Sequence, residues 1–78
     1  MKDKDIKKIV NSPQKVRFAD IDKLLVAHGY TRRQSGGGSS HYIYTKEGEP
    51  HIITVPFKRP YVKEIYVKNI VKLLKLED

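Results

Sequence analysis

Two stretches of the chain repeat their apolar residues at the spacing of an amphipathic α-helix. In the first stretch the stripe runs through Phe18, Ile21, Leu24, Leu25 and His28, and charged residues stay off it. Gly29 follows, and glycine suits the left-handed residue that closes a helix. In the second stretch the apolar face consists of Tyr66, Val67, Ile70, Val71, Leu73 and Leu74. We therefore predict one helix over residues 18–28 and another over residues 66–74.

Between these helices the pattern changes to the alternation and β-branched content of strands. Residues 30–34 predict a short first strand, residues 40–45 a second, and residues 51–55 a third that Pro56 ends. The connections between them are short and rich in glycine or charged residues. Such connections favour an antiparallel meander.

The predicted fold class is α+β, with the element order α-β-β-β-α. Two amphipathic helices can bury their stripes together only on the same side of so small a sheet, which leaves its other face open. Alternation in the second strand places His41, Ile43 and Thr45 on one face and Tyr42 and Tyr44 on the other. If Ile43 faces the helices, His41 lies at the rim of the covered face.

A lysine-rich segment precedes this pattern. Its Ile6, Ile9 and Val10 have helical spacing, and Pro13 disfavours helix at Ser12. We predict an N-terminal basic arm or short helix over residues 1–13 and a single domain over residues 14–78. A chain of this length buries about 60% of its unfolded surface, so one modest core is expected.

The charge of the chain indicates a polyanion as a partner. The 78 residues carry a formal net charge of +7 and a pI near 9.7, which makes nucleic acid the first partner to consider. An acidic protein partner and lysines that only solvate helix faces are the alternatives. There is no cysteine, as in many proteins of a reducing cytoplasm, and no signal segment or membrane-spanning run. We expect a soluble cytoplasmic protein that does not bind membranes.

The glycine- and serine-rich segment before the second strand is the strongest candidate for chemistry. It leads into His41, and imidazole is the side chain whose ordinary pKa suits proton transfer near neutrality. Cleavage of RNA without a metal needs such a base, cations to neutralise the phosphorane, and donors that approach the phosphate closely. The candidate cations are Arg32, Arg33, Lys58 and Arg59, and the candidate donors are Gly38, Ser39 and Ser40.

Each of these residues also has an ordinary structural interpretation. His41 can be a polar residue at a strand end, His28 is expected to interact with the last carbonyls of its helix, and His51 to follow the turn before it. Tyr42 and Tyr44 can stack on bases but are also common strand formers. The histidines match no metal-binding spacing, and the glycines lack the lysine of a P-loop, so we expect no metal or other cofactor.

Taken together, these segments resemble the HicA family of toxins from about Val16 to Leu76. The resemblance rests on His28-Gly29-Tyr30, Arg33-Gln34-Ser35-Gly36, Gly38-Ser39-Ser40-His41-Tyr42-Ile43-Tyr44, Thr54-Val55-Pro56 and the final Tyr66–Leu74 helix. Its most specific part is the Gly-Ser-Ser-His segment. The resemblance implies a small basic ribonuclease with a fold like a double-stranded-RNA-binding domain. It also implies that one histidine, here His41, cleaves mRNA and that a HicB-like antitoxin inhibits the protein.

The sequence therefore predicts the toxin of a type II toxin–antitoxin system, a metal-independent mRNA endoribonuclease. Two alternatives remain open. The chain can be a non-catalytic basic module that binds RNA by shape, with His41 as one polar contact. It can also be chiefly an interaction subunit whose positive surface docks an acidic antitoxin.

Overall fold

The computed structural model describes residues 2–34 and 40–76. Its elements are α1 (Asp3–Asn11), a one-turn 3-10 helix (Pro13–Lys15), α2 (Phe18–Ala27), β1 (Thr31–Gln34), β2 (His41–Lys46), β3 (Glu49–Pro56) and α3 (Glu64–Leu73). The strands form one antiparallel sheet in the order β1-β2-β3. The predicted α+β class, meander and helix placement are confirmed. The last helix begins two residues earlier than predicted, at Glu64.

Helix α2 has defined contacts at both ends. The backbone N–H of Arg17 donates to the Asp20 carboxylate at 3.2 Å, which satisfies a donor before the first turn. At the other end, His28 Nδ1 lies 2.9 Å from the Leu24 carbonyl oxygen. Gly29 then adopts φ +90° and reverses the chain into β1. The predicted structural role of His28 is therefore confirmed.

The core lies between the helices and one face of the sheet. Its buried side chains are Ile21, Leu24 and Leu25 of α2, Val67, Ile70 and Val71 of α3, and Tyr44, Ile53 and Val55 of the sheet, together with Ile9, Val16, Tyr30 and Val62. The backbone N–H of Val62 donates to the Val16 carbonyl at 2.8 Å, so the segment before α3 is tied to the segment before α2. Both connections thus pass along the covered side of the sheet.

Helix α1 packs against this core through its apolar stripe. Ile9 is buried, and Ile6 and Val10 are half-buried against the core. The helix contacts the 3-10 helix and α3. The division of the chain at residue 13 stays a prediction. No helix in the described part of the chain is long and apolar enough to cross a membrane.

The helices cover the face of β2 that carries Tyr42 and Tyr44. Ile43 therefore does not face the helices, and the condition under which His41 would lie at the rim of the covered face is not met. Tyr44 is fully buried, and its hydroxyl donates to Asp22 Oδ1 of α2 at 2.8 Å. The larger ring enters the core because α2 supplies a partner for its polar atom. By alternation, His41 and Ile43 belong to the uncovered face, which we call the open face.

Candidate functional site

His41 is the first residue of β2 and is exposed. It lies opposite Pro56 in the ladder with β3. The pairing continues one residue further, since the backbone N–H of Phe57 donates to the Ser40 carbonyl at 2.7 Å. The backbone on both sides of His41 is therefore held by β3, and its side chain belongs to the open face. Gly38 and Ser39 lie outside the described residues, whereas Ser40 is exposed beside His41.

Arg33 shares the open face with His41. It pairs with Ile43 across the β1–β2 ladder and is exposed. His41 is therefore its diagonal neighbour on β2, and such neighbours have Cα atoms about 7–8 Å apart, within the reach of a long side chain. Arg33 can thus place its guanidinium beside the imidazole. The pair combines a titratable base with a permanent positive charge on an accessible surface.

Arg32, its neighbour in sequence, lies on the covered side. Its Nη1 is 3.3 Å from Asp22 Oδ1, and its guanidinium carbon is 5.5 Å from the centroid of the Tyr42 ring. Asp22 also accepts the Tyr44 hydroxyl. The structure therefore does not bring Arg32 together with His41, and an acidic partner already offsets its charge.

Beyond the end of β3, an aromatic cluster forms on the covered side. Phe18 lies 4.8 Å from Tyr42 and 5.2 Å from Phe57 between ring centroids. The guanidinium carbon of Arg59 is 5.4 Å from the centroid of Phe57. Lys58 and Arg59 are both exposed. This end of the sheet thus carries positive charge on an aromatic surface.

Phe57 was not among the predicted site residues. The predicted third strand ends at Pro56, although Ile53, Val55 and Phe57 continue the alternation of the covered face. Extending that alternation past the proline would have placed Phe57 beside the helices. The ladder bond from its N–H to Ser40 confirms that the strand pairing extends this far.

The remaining predicted candidates lie apart from His41. His51 is exposed near the β2–β3 turn, at the other end of the sheet, where its backbone N–H donates to Glu49 Oε1 at 3.2 Å. Tyr44 is buried and cannot stack on a base, and Tyr42 packs on Phe18. Within residues 2–34 and 40–76, no group of three or more histidine or acidic side chains is arranged to hold a metal ion.

Two tyrosines have perturbed proton affinities. Burial raises the pKa of Tyr44, and its hydrogen bond to Asp22 raises it further. Burial and the nearby Glu49 charge raise the pKa of Tyr30. Both phenols are therefore protonated at neutral pH, and neither can act as a base.

A groove of about 790 Å³ lies between α1 and α2. Both acidic and basic side chains line it, among them Asp5, Lys8, Asp20 and Lys23, and none of the predicted site residues that the structure describes does so. Because carboxylates repel phosphates, this mixed lining suits a polyanion less well than the end of the sheet that carries His41 and Arg33.

A family model described as the HicA toxin of bacterial toxin–antitoxin systems matches residues 18–76. The match covers α2, the whole sheet and α3, so it includes every element that positions His41, and it leaves α1 outside. No significant match was found among curated proteins or among solved structures.

Proposed function

The chain belongs to the HicA toxin family and is the toxin of a bacterial toxin–antitoxin system, and on that premise we propose that it is an mRNA endoribonuclease that uses His41. One observation carries the proposal. His41 is exposed on the open face at the start of β2, where β3 pairs with it, and Arg33 belongs to the same face. A mobile substrate can therefore reach a proton acceptor and a cation together.

In the proposed reaction, the His41 imidazole accepts the proton of a ribose 2′-hydroxyl. The 2′-oxygen attacks the adjacent phosphorus, and the bond from phosphorus to the 5′-oxygen breaks. The products are a 2′,3′-cyclic phosphate and a free 5′-hydroxyl, which takes its proton from water or from the same imidazole. Positioned proton transfer of this kind contributes about 10²–10⁴-fold to rate.

Charge stabilisation is assigned to the cations around His41. Arg33 offsets the negative charge on the oxygens of the pentacoordinate phosphorane from the open face. Its planar guanidinium can donate hydrogen bonds to two phosphate oxygens at once. The hydroxyl of Ser40 and the preceding Gly38 and Ser39 complete the proposed phosphate contacts. Lys58 and Arg59, which are exposed beyond the end of β3, are assigned to binding of the RNA chain rather than to stabilisation of the scissile phosphate. Arg32 contributes to folding rather than to phosphate binding, because Asp22 already pairs with it.

The partner in this proposal is a HicB-like antitoxin that inhibits cleavage. The substrate is mRNA in the cytoplasm. The net charge of +7 supports both assignments, since it attracts an acidic protein and a polyanion alike.

The test uses the purified protein, labelled single-stranded RNA and EDTA. We expect His41→Gln to lower the cleavage rate by about 100-fold or more while the melting temperature stays near that of the parent, because the side chain is exposed. His51→Gln is the matched control, since it alters an exposed histidine at the other end of the same sheet.

A folded His41→Gln protein that still cleaves RNA and arrests growth would contradict the proposal. Salt-sensitive RNA binding by the parent protein without any cleavage would instead identify the non-catalytic binding module.

A further inference from the structure

Arg59 and Arg32 differ in whether an acidic side chain pairs with the guanidinium. Both guanidiniums rest on rings of the aromatic cluster, 5.4 Å from Phe57 and 5.5 Å from Tyr42 respectively. Arg32 also pairs with Asp22, whereas neither of the two ion pairs found in residues 2–34 and 40–76 includes Arg59. Within the part of the chain that the structure describes, the Arg59 guanidinium therefore contacts an aromatic ring and has no acidic partner. That combination favours an anion as its ligand.

The Phe57 ring also contacts α2. It packs edge-on against Phe18 at 5.2 Å between ring centroids, and 37% of the residue is exposed. Its backbone N–H donates to the carbonyl of Ser40, the residue before His41. The position of Arg59 is thus coupled, through one ring and one ladder bond, to the backbone that presents the proposed base.

The two features face opposite sides of the sheet end. His41 belongs to the open face and Phe57 to the covered face, from neighbouring positions of the same pair of strands. An RNA strand that meets both must cross the end of the sheet. The phosphate that reaches Arg59 is then a different phosphate from the one that is cleaved at His41.

We propose that Phe57 and Arg59 form a binding subsite for the RNA backbone phosphate next to the scissile one, with Phe57 as the positioning residue. This inference rests on the proposed ribonuclease function. An RNA strand that crosses the sheet end needs a backbone that bends sharply within a few nucleotides. Single-stranded RNA bends in this way and an A-form duplex does not, so the preferred substrate is unpaired.

The test compares cleavage of two single-stranded substrates, a dinucleotide with one phosphate and an oligonucleotide with several. For Arg59→Gln on the oligonucleotide, we expect KM to rise about tenfold with kcat nearly unchanged, and the slope of log kcat/KM against log salt to weaken by about one. On the dinucleotide, the substitution should have no effect. Lys15→Gln removes an equal charge from the exposed 3-10 helix and should alter neither substrate.

The role of the ring is tested by substitution at Phe57. Phe57→Leu should raise KM as Arg59→Gln does, because a leucine keeps apolar contacts but offers no aromatic face. Phe57→Tyr keeps that face and should restore the parent KM. Arg59→Lys should keep the salt slope of the parent protein but only part of its affinity. An ammonium keeps the charge but cannot stack its plane on the Phe57 ring as a guanidinium does. If Phe57→Leu lowers the melting temperature, the conservative variants Phe57→Tyr and Arg59→Lys still test the ring and the charge.

Several results would overturn the subsite. One is an Arg59→Gln effect that persists on the dinucleotide, which would place Arg59 at the scissile phosphate itself. Others are an unchanged KM in Phe57→Leu and equal cleavage of duplex and single-stranded RNA. If the parent protein cleaves nothing, the proposed function fails separately. The subsite is then judged by oligonucleotide binding, where Arg59→Gln must weaken affinity and salt dependence more than Lys15→Gln does.

Discussion

The two faces of the sheet differ in how their polar side chains are placed: those of the covered face pair with one another, and those of the open face are exposed. On the covered face, Asp22 accepts the Tyr44 hydroxyl at 2.8 Å and lies 3.3 Å from Arg32, so the polar atoms of three elements satisfy one another. On the open face, Arg33 and His41 are exposed on adjacent strands. The first arrangement stabilises the fold, and the second leaves a guanidinium and an imidazole exposed on the surface.

Arg32 and Arg33 show how little separates these roles in sequence. They are consecutive residues of one type, and strand alternation alone sends them to opposite faces. One guanidinium is paired with a carboxylate of α2, whereas the other shares a face with the proposed base. Residue type therefore nominates both arginines for phosphate binding, and only the register of the sheet distinguishes them.

The largest expected difference between the faces concerns two adjacent isoleucines of β3. Ile53 is 7% exposed and Ile52 is 65% exposed. We expect Ile53→Ala to lower the free energy of unfolding by about 2–5 kcal/mol, because it removes packed methyl groups from the core. Ile52→Ala should change it by less than about 0.5 kcal/mol. Urea denaturation of both variants measures the difference.

Ile52→Ala also serves as the control for lost strand propensity, since both substitutions remove a β-branched residue from the same strand. Equal destabilisation by the two variants would contradict the assignment of the faces. It would show that the open face is covered in solution, for example by a second copy of the chain.

The next effect concerns the buried hydroxyl of Tyr44. We expect Tyr44→Phe to lower the free energy of unfolding by about 1–2 kcal/mol at about pH 7, because Asp22 loses a donor. The ordinary tyrosine pKa is 10.0, and burial with the Asp22 hydrogen bond raises the pKa of Tyr44 above it. This stabilisation is therefore fully present below the unfolded pKa and is lost as pH rises above it.

The free-energy gap between parent and Tyr44→Phe should consequently narrow between about pH 7 and about pH 11. Urea denaturation at both pH values measures this gap. Tyr42→Phe is the matched control on the same strand, since Tyr42 is only half-buried. A free-energy gap that is constant or grows with pH would show that folding does not raise the pKa of Tyr44.

Local patterns were sufficient to predict most of the fold. The stripe of α2 predicted its buried face, and Gly29 was placed at the position where the chain adopts φ +90°. Helix and turn signals of this kind depend on residues within a few positions of one another. The order and antiparallel pairing of the strands followed from their short connections.

The covered face of β2 was harder to predict because both of its faces carry large apolar residues. Ile43 and Tyr44 are each suitable for a core, and the choice depends on Asp22, a residue 22 positions earlier that accepts the Tyr44 hydroxyl. The pairing of Arg32 with the same carboxylate depends on the packing of α2 on the sheet. Neither contact leaves a local signal in the sequence.

The smallest expected effect separates the two arginines. Arg33→Gln should weaken RNA affinity or cleavage by about tenfold or less, with a free energy of unfolding close to that of the parent, since one phosphate contact is lost from an exposed site. Arg32→Gln should leave cleavage nearly unchanged and lower the free energy of unfolding by at most about 1 kcal/mol, because its side chain is 49% exposed in the ion pair.

Both substitutions remove one positive charge from neighbouring positions of β1, so any change in long-range attraction of RNA is shared. The ratio of their effects on cleavage thus reports the face of the sheet rather than net charge. An equal loss in the two variants would mean that net charge alone governs RNA capture and that the open face has no special role.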